Sequence, residues 1–506
     1  MSEFFIGVDS GTQSTKAVVV NGKTGQVVAS ASSAYGLIRG LADGVKEQNP
    51  KTWVTALEKT IKEALAKSKV RPSAVKAIGV SGQQHGLVVL DEKGKVIRPA
   101  KLWCDTSTAT QAELLIKKLG GLGKVIQMTG NGIPAGFTAS KIAWLKQYEP
   151  KNFHQIHKIL LPHDYLNYHL TGRATMEAGD ASGTGFFDTK TRDWHPKVAQ
   201  AIDATLLDKL PAIQSSSEPV GEILPMVAKR LGLEPGTLVS AGGGDNMMGA
   251  IGTGNTKAGM VTVSLGTSGT VYAYSSRPVF DAEGEVAAFC DSTGAWLPLV
   301  CTMNVTVATE LIKKAFKWDN VRLGKEVRGI PIGCEGMMML PYFQGERVPN
   351  LPLASGVLYG MTPDNFSQGH MARAAMEGVA LGLNYGLSRM KDLGIRPKQV
   401  RLTGGGANSP EWRQILADVF ESEVVALENM EGAAFGAALQ AKWCYCLDRG
   451  ERVRITHITD QLVKVNSKTK ATPVRAHIKS YRQLQDVHNH FSKACAPVFA
   501  ENKAVR

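Results

Sequence analysis

Short apolar runs and helix-period segments alternate along this chain. Residues 4–9, 15–20 and 26–31 are Val/Ile-rich and punctuated by Gly, Asn and Ser, which predicts three consecutive short strands. Residues 52–68, TWVTALEKTIKEALAKS, carry apolar side chains at three- and four-residue spacing and hold Lys67 near the end, which predicts a helix with a basic carboxyl end. VKAIGVSGQQHGLVVL at 75–90 predicts two strands joined across residues 82–86. The same grammar restarts near 259, where GMVTVSLGTSGTVYAY again gives strand, small polar turn, strand. A helix over 370–392, a strand over 399–403, the loop GGGANSPEW and a further helix follow, and residues 473–491 predict a late helix. The pattern is that of an α/β protein whose second half echoes its first, with GTGNTKA at 252–258 as the boundary. The domain expectation is 1–252, 253–450 and a basic extension over 451–506.

Composition narrows the function classes. At 506 residues the chain is long enough for two to four domains, and 43% hydrophobic with 20% charged is the balance of a globular protein. No apolar run is long enough for a membrane span, and MSEFFIGVDSG lacks a basic region followed by an apolar core. The expectation is therefore a cytoplasmic protein with no membrane partner. The seven cysteines are scattered without zinc spacing and are expected as reduced thiols. The net charge of +13 is concentrated in the tail, where residues 449–506 hold twelve Lys/Arg against four Asp/Glu. These are spread out and not interleaved with aromatics, so they describe a solvated face and no nucleic-acid partner.

The chemistry sits in the turns. DSGTQSTK at 9–16 and SLGTSGT at 264–270 share one design, with Gly and hydroxyl residues at a tight turn between strands. Glycines let the backbone come close to an anion, and successive N–H groups form an anion-binding concavity. One such hairpin is unremarkable, but two at equivalent places point to a phosphate chain. A third loop, GGGANS at 404–409, has more glycines than a strand-to-helix turn requires, which favours close approach of a flat adenosine. No G-x-x-x-x-G-K-[ST] or G-x-G-x-x-G occurs, so P-loop and Rossmann binding are excluded.

These loops resemble the phosphate and adenosine motifs of the actin-like ATPase superfamily, and finer motifs resemble its FGGY carbohydrate kinases. FTASKIAWL at 137–145 is similar to one family signature and GVLYGMTPDNFSQGHMARAAME at 356–377 to the other; LPHDYLNYHLTG at 161–172, DASGT at 180–184 and GERVP at 345–349 also fit. The resemblance spans residues 4 to about 445. It implies two actin-like (ribonuclease H-like) α/β domains with a nucleotide and sugar cleft between them, the first binding sugar and the second ATP. GQQHG at 82–86, LW-x-D at 102–105 and GGGDN at 242–246 are most similar to the members that phosphorylate D-xylulose, although Cys104 stands where relatives often carry Asn. The implied reaction is MgATP-dependent formation of D-xylulose 5-phosphate, and a homodimer is suggested.

A sugar kinase must orient a hydroxyl, accept its proton and neutralise charge on the transferring phosphoryl group. Asp245 follows three glycines and precedes NMMGAIG. From the residues alone, a general base and a helix cap are equally good readings; the resemblance places the base here. Gln84, His85, Trp103, Asp105, Asp245 and Asn246 are the expected sugar contacts, with Trp103 equally suited to core packing. Thr12, Gln13, Lys16, Gly266 and Thr267 are the expected phosphate neighbours, Gly404, Gly405, Gly406 and Asn408 the adenosine loop, and Asp9 the holder of Mg²⁺ through water. Two alternatives stay open: a kinase for another ketose or polyol, and a non-kinase actin-like ATPase or sugar sensor.

Overall fold

The three opening strands form as Phe4–Ser10, Ser14–Asn21 and Val27–Ala34 in a computed structural model that describes residues 2–429 and 431–505. The first two pair antiparallel from Phe4↔Asn21 to Ser10↔Thr15. Val75–Gly82 lies parallel on the other side of the first strand. The described residues within Met1–Lys257, Tyr274–Leu297 and Glu431–Val463 form one unit, and those within Ala258–Ala273, Pro298–Met430 and Lys464–Arg506 the other.

In the first unit, period-two alternation puts Ile6 and Val8 on one face of the sheet. There they bury against Trp53, Leu57 and Ile61 of the helix Pro50–Ser68. Each such fully buried side chain contributes roughly 1.5–3 kcal/mol. Asn49 starts that helix by accepting the N–H of Lys51, and Pro50 occupies a position that needs no donor. The opposite face carries Gly7, where a Cβ would lie 1.8 Å from the carbonyl oxygen of Ala434. Only a side chain of no size lets the helix Gly432–Asp448 lie directly on the strand. The same helix meets the helix Asp245–Gly252 backbone to backbone, since a Cβ on Gly436 would stand 1.8 Å from the Met248 carbonyl oxygen. The short helix that begins with Asp245 is thereby fixed against the sheet.

The second unit repeats the arrangement. Met260–Leu265 pairs antiparallel with Gly269–Ala273, which pairs antiparallel with the strand Trp296–Thr302; Gln399–Thr403 and Glu423–Ala426 add parallel strands on the other side. Leaving aside the edge strands Pro219–Glu222 of the first sheet and Ala287–Cys290 of the second, the five remaining main strands of each sheet run third, second, first, fourth, fifth in chain order. The echo expected from the sequence is thus a shared topology, and the α/β class is observed. The predicted late helix is Arg475–Ala504. It belongs to the second unit, where the Tyr481 hydroxyl donates to Glu377 at 2.9 Å. All seven cysteines are free thiols. Among the described residues, no helix is long and apolar enough to cross a membrane.

Candidate active site

The short strand Gly243–Gly244 pairs with Ser81–Gly82 and delivers the chain into the helix Asp245–Gly252. A Cβ on Gly244 would press within 2.7 Å of the Gln84 side chain, so glycine here lets Gln84 lie against the turn. Gly244, not Asp245, is the N-cap; Asp245 is the first helical residue. Its Oδ1 accepts the backbone N–H of Asn246 at 2.8 Å and the Asn246 side-chain amide at 3.0 Å. That amide also donates to Gln84 Oε1 at 2.9 Å, and Gln84 Nε2 donates to Asp180 Oδ1 at 3.4 Å. Gln84, Asp245 and Asn246 are therefore brought together as one connected cluster.

Behind it lies a buried charge network. His163 sits between Asp180 Oδ2 at 2.7 Å and Asp164 Oδ1 at 3.0 Å. Burial opposes charge on this imidazole, but the two flanking carboxylates outweigh it and raise its pKa well above the usual value. Glu177 accepts the N–H groups of Gly179 and Asp180, capping the short helix Ala178–Ala181 that presents Asp180. Burial lifts Glu177 to a pKa of about 7. Asp245 is also raised to about 7, first by burial and then by the carboxylates of Asp9 and Asp180. A carboxyl group balanced between its two forms near neutral pH is suited to taking a proton from an alcohol.

His85 follows Gln84 in a left-handed backbone conformation (φ 63°), and its ring lies 4.5 Å from that of Phe137, centroid to centroid. At the turn between the first two strands, Asp9 accepts the Ser81 hydroxyl at 2.8 Å. Thr12 donates its hydroxyl to Gln83 at 3.1 Å and accepts the Trp103 indole N–H at 2.9 Å. Gln13 is exposed beside it. The Lys16 ammonium pairs with Glu431 at 2.6 Å, and both side chains are partly exposed. Trp103 thus ties into the phosphate turn. Asp105 stands apart from the cluster. It is fully buried, and its oxygens take Lys101, the N–H of Lys46 and both donors of Ser107. With its acceptor positions filled from within the protein, Asp105 braces the loop that carries Trp103.

In the second unit the corresponding turn is plainer. Gly266 and Thr267 are held through their carbonyls, which accept the N–H groups of Thr306 and Val305, and Thr267 is exposed. Gly404 (φ 80°) leads a tight turn over Gly405–Asn408 before the helix Pro410–Phe420. A Cβ on Gly404 would stand 2.6 Å from the Leu265 carbonyl oxygen and 3.1 Å from the Gly266 nitrogen, so the two glycine loops are in contact. Gly405 faces open space, Gly406 is buried, and Asn408 is exposed.

Among the described residues, no three His, Cys, Asp or Glu side chains gather as a metal cage. Mg²⁺ usually keeps several waters and takes one or two carboxylates together with phosphate oxygens. Asp9 fits that part: its carboxyl is raised by burial and lowered by Ser81 and Lys16, so an added cation would stabilise its ionised form.

Reasoning from sequence alone did not assign roles to His163, Asp164, Glu177, Asp180, Lys141 or Gly183. Five of them lie in the quoted segments 137–145, 161–172 and 180–184, but nothing local there names the partners they meet in the fold.

The fold and the site together define an α/β sugar phosphotransferase built from two units of like topology. Residues 4–252 match the N-terminal domain, and residues 261–445 the C-terminal domain, of the FGGY family of carbohydrate kinases, and the chain belongs to that family. It is 42% identical over 488 residues to the xylulose kinase of Haemophilus influenzae, covering 95% of this chain and 98% of that one. It is 36% identical over 440 residues to the xylulose kinase of Escherichia coli, covering 86% and 88%. The crystal structure of xylulose kinase from Bifidobacterium adolescentis superposes with a TM-score of 0.81 at 31% identity, over 96% of this chain and 99% of that one.

Proposed function

We propose that this chain transfers the γ-phosphoryl group of ATP to D-xylulose, giving D-xylulose 5-phosphate, with Asp245 accepting the proton of the attacking hydroxyl. The observation that carries the proposal is Asp245 itself: a carboxyl lifted to about 7, with one oxygen fixed by Asn246, in the cluster that contains Gln84. The similarity to xylulose kinases supports the choice of sugar.

In this reading Gln84, His85 and Asn246 supply fixed donors and acceptors for the sugar hydroxyls. Trp103 and Asp105 act one step back, Trp103 on Thr12 and Asp105 on the loop. Thr12, Gln13 and Lys16 meet phosphate oxygens, Lys16 exchanging its pairing with Glu431 for the nucleotide. Gly266 and Thr267 offer main-chain N–H groups to the phosphates, and Gly404–Gly406 with Asn408 receive the adenosine. Mg²⁺ arrives with ATP and neutralises phosphate charge, with Asp9 holding it through water. Residues 1–252 then serve the sugar, 253–450 the nucleotide, and 451–506 form the basic extension, in a cytoplasmic enzyme that assembles as a homodimer.

The direct test is ADP release against a panel of ketoses and polyols. The highest kcat/KM on D-xylulose is expected. A higher value on another sugar would move the assignment within the family, and ATP hydrolysis indifferent to every sugar would remove the kinase reading.

A further inference from the structure

The strongest feature that the reaction leaves unused is the housing of His85. Its main chain is left-handed at φ 63°, a region a non-glycine residue enters only when its surroundings hold it there. What holds it is visible. The Lys141 ammonium, fully buried in the helix Thr138–Tyr148, donates to the His85 carbonyl oxygen at 2.7 Å and to the Gly136 carbonyl oxygen at 2.7 Å. The Thr138 hydroxyl donates to the same His85 oxygen at 3.2 Å. Phe137 and Phe289 face the imidazole at 4.5 and 6.0 Å. On the remaining side stands Gly183, where a Cβ would lie 2.1 Å from both Cε1 and Nδ1 of the ring.

A buried ammonium is costly, and a hydrocarbon side chain of similar length would fill the same space more cheaply. Burial indeed drives the Lys141 pKa down to about 7, against the opposing pull of Asp105. What the amine adds is two carbonyl bonds, and a neutral amine keeps two N–H groups to make them. The tie therefore survives deprotonation and is mechanical in character. Glycine at 183 supplies the complementary element, a gap the size of one methyl group into which the ring fits.

We propose that Lys141 and Gly183 are positioning residues that set where the His85 imidazole stands, and through it the fit of the polyhydroxylated sugar. This rests on His85 being a sugar contact. Lys141 fixes the backbone from one side, and Gly183 sets the ring from the other.

The test is a pair of double-mutant cycles in the full-length enzyme: Gly183→Ala and Lys141→Met, each in the parent and in a His85→Ala background. KM for D-xylulose, KM for ATP and Tm are read for each protein. In the parent, either substitution is expected to raise the sugar KM by about ten- to a hundredfold, the scale on which a small misplacement of a binding group is felt. ATP KM should stay near parental. In the His85→Ala background Gly183→Ala should add nothing further, because the ring it sets is gone, and Lys141→Met should add less than in the parent, because the residue-85 carbonyl it holds then carries no imidazole. Full additivity on His85→Ala would overturn the proposal, since the two residues would then act by another route. Parental sugar KM in Gly183→Ala and Lys141→Met, with a raised KM in His85→Ala, would overturn it while leaving His85 as a sugar contact. A parental KM in His85→Ala would remove the sugar contact and the proposal with it. Gly183→Ala carries the test alone if Lys141→Met does not fold, as its only close clash is with a ring free of secondary structure.

Discussion

The two phosphate turns share a strand–turn–strand frame and differ in how they are held. In the first unit, side chains do the holding. Thr12 is engaged by Trp103 and Gln83, Lys16 by Glu431, and Asp9 by Ser81. In the second, the Gly266 and Thr267 carbonyls accept main-chain N–H groups of Thr306 and Val305, and Thr267 is exposed. One topology thus supports two kinds of recognition. Asp9 of the first turn acts through its charge on Asp245, so replacing a side chain there is expected to change chemistry. The second offers a bare backbone to an anion, where adding a side chain changes access. Substitutions should separate these two behaviours.

The largest effect is expected on the side-chain half. Asp245→Asn keeps the acceptor that meets the Asn246 N–H but removes the proton acceptor, so kcat should fall by about 10²–10⁴-fold. Stability should move the other way. The folded pKa of about 7 lies above the unfolded value of 3.8. The folded state therefore binds protons more tightly, and the Asp245 contribution to stability is lost as pH rises through 7. At pH 8 the neutral Asn should leave Tm equal to the parent or higher. Near-parental turnover would take Asp245 out of the reaction, and a lower Tm would make it a structural residue.

Gly266→Val is the matching break in the main-chain half. A Cβ there would stand 3.2 Å from the Ser268 carbonyl oxygen, a tight contact that a small shift of the turn must relieve, so Tm is measured beside the kinetics. Phosphate approach should not tolerate a side chain. Loss of a hydrogen bond to a charged group corresponds to about ten- to a hundredfold in ATP KM. Sugar KM should stay near parental. A rise in sugar KM without a rise in ATP KM would reverse the assignment of the two turns.

How much of this could be read from the sequence depended on the distance between partners. The strand Gln399–Thr403 and the helix Pro50–Ser68 follow local periodicity, and both form within two residues of where it places them. Asp245, Asn246 and Gln84 were legible because each lies in a glycine-bounded motif. The rest of the network was not, because its members meet only in the fold. Gln84 reaches Asp180 across 96 positions and Lys16 reaches Glu431 across 415. Asp105 shows the converse. It looks like a loop carboxylate open to ligand, yet Lys101, one helical turn earlier in number, is folded onto it and buried with it.

The pH profile sharpens the comparison. A base that must be ionised loses activity below its pKa. On this basis kcat/KM for the sugar should fall tenfold per pH unit below about 7 and level off above it. With ATP meeting main-chain groups of the second turn, as proposed, Gly266→Val should change the height of that profile and leave its midpoint in place. Asp180→Asn removes one of the two carboxylates that raise Asp245, so its acid limb should move to lower pH. A limb that stayed fixed in Asp180→Asn would break the electrostatic link between the network and the base.

The smallest effect distinguishes two uses of Trp103. Its indole N–H donates to the Thr12 hydroxyl at 2.9 Å, which places its polar end on the phosphate turn. Its ring is only partly buried; from sequence, core packing and an aromatic wall for the sugar are equally good expectations. Trp103→Phe keeps most of the aromatic surface and deletes the donor. A lost neutral hydrogen bond is worth about 0.5–1.5 kcal/mol, or roughly two- to tenfold. If the indole serves the turn, that factor appears in the ATP KM and the sugar KM stays near parental. If the ring serves as the sugar wall, Phe largely replaces it, ATP KM is unchanged, and only Trp103→Ala raises the sugar KM. Measuring both constants in both variants assigns Trp103 to one side of the comparison. The geometry favours the first turn, which would make it dependent on a side chain 91 positions away, while the second turn's described bonds to Thr306 and Val305 run through the main chain.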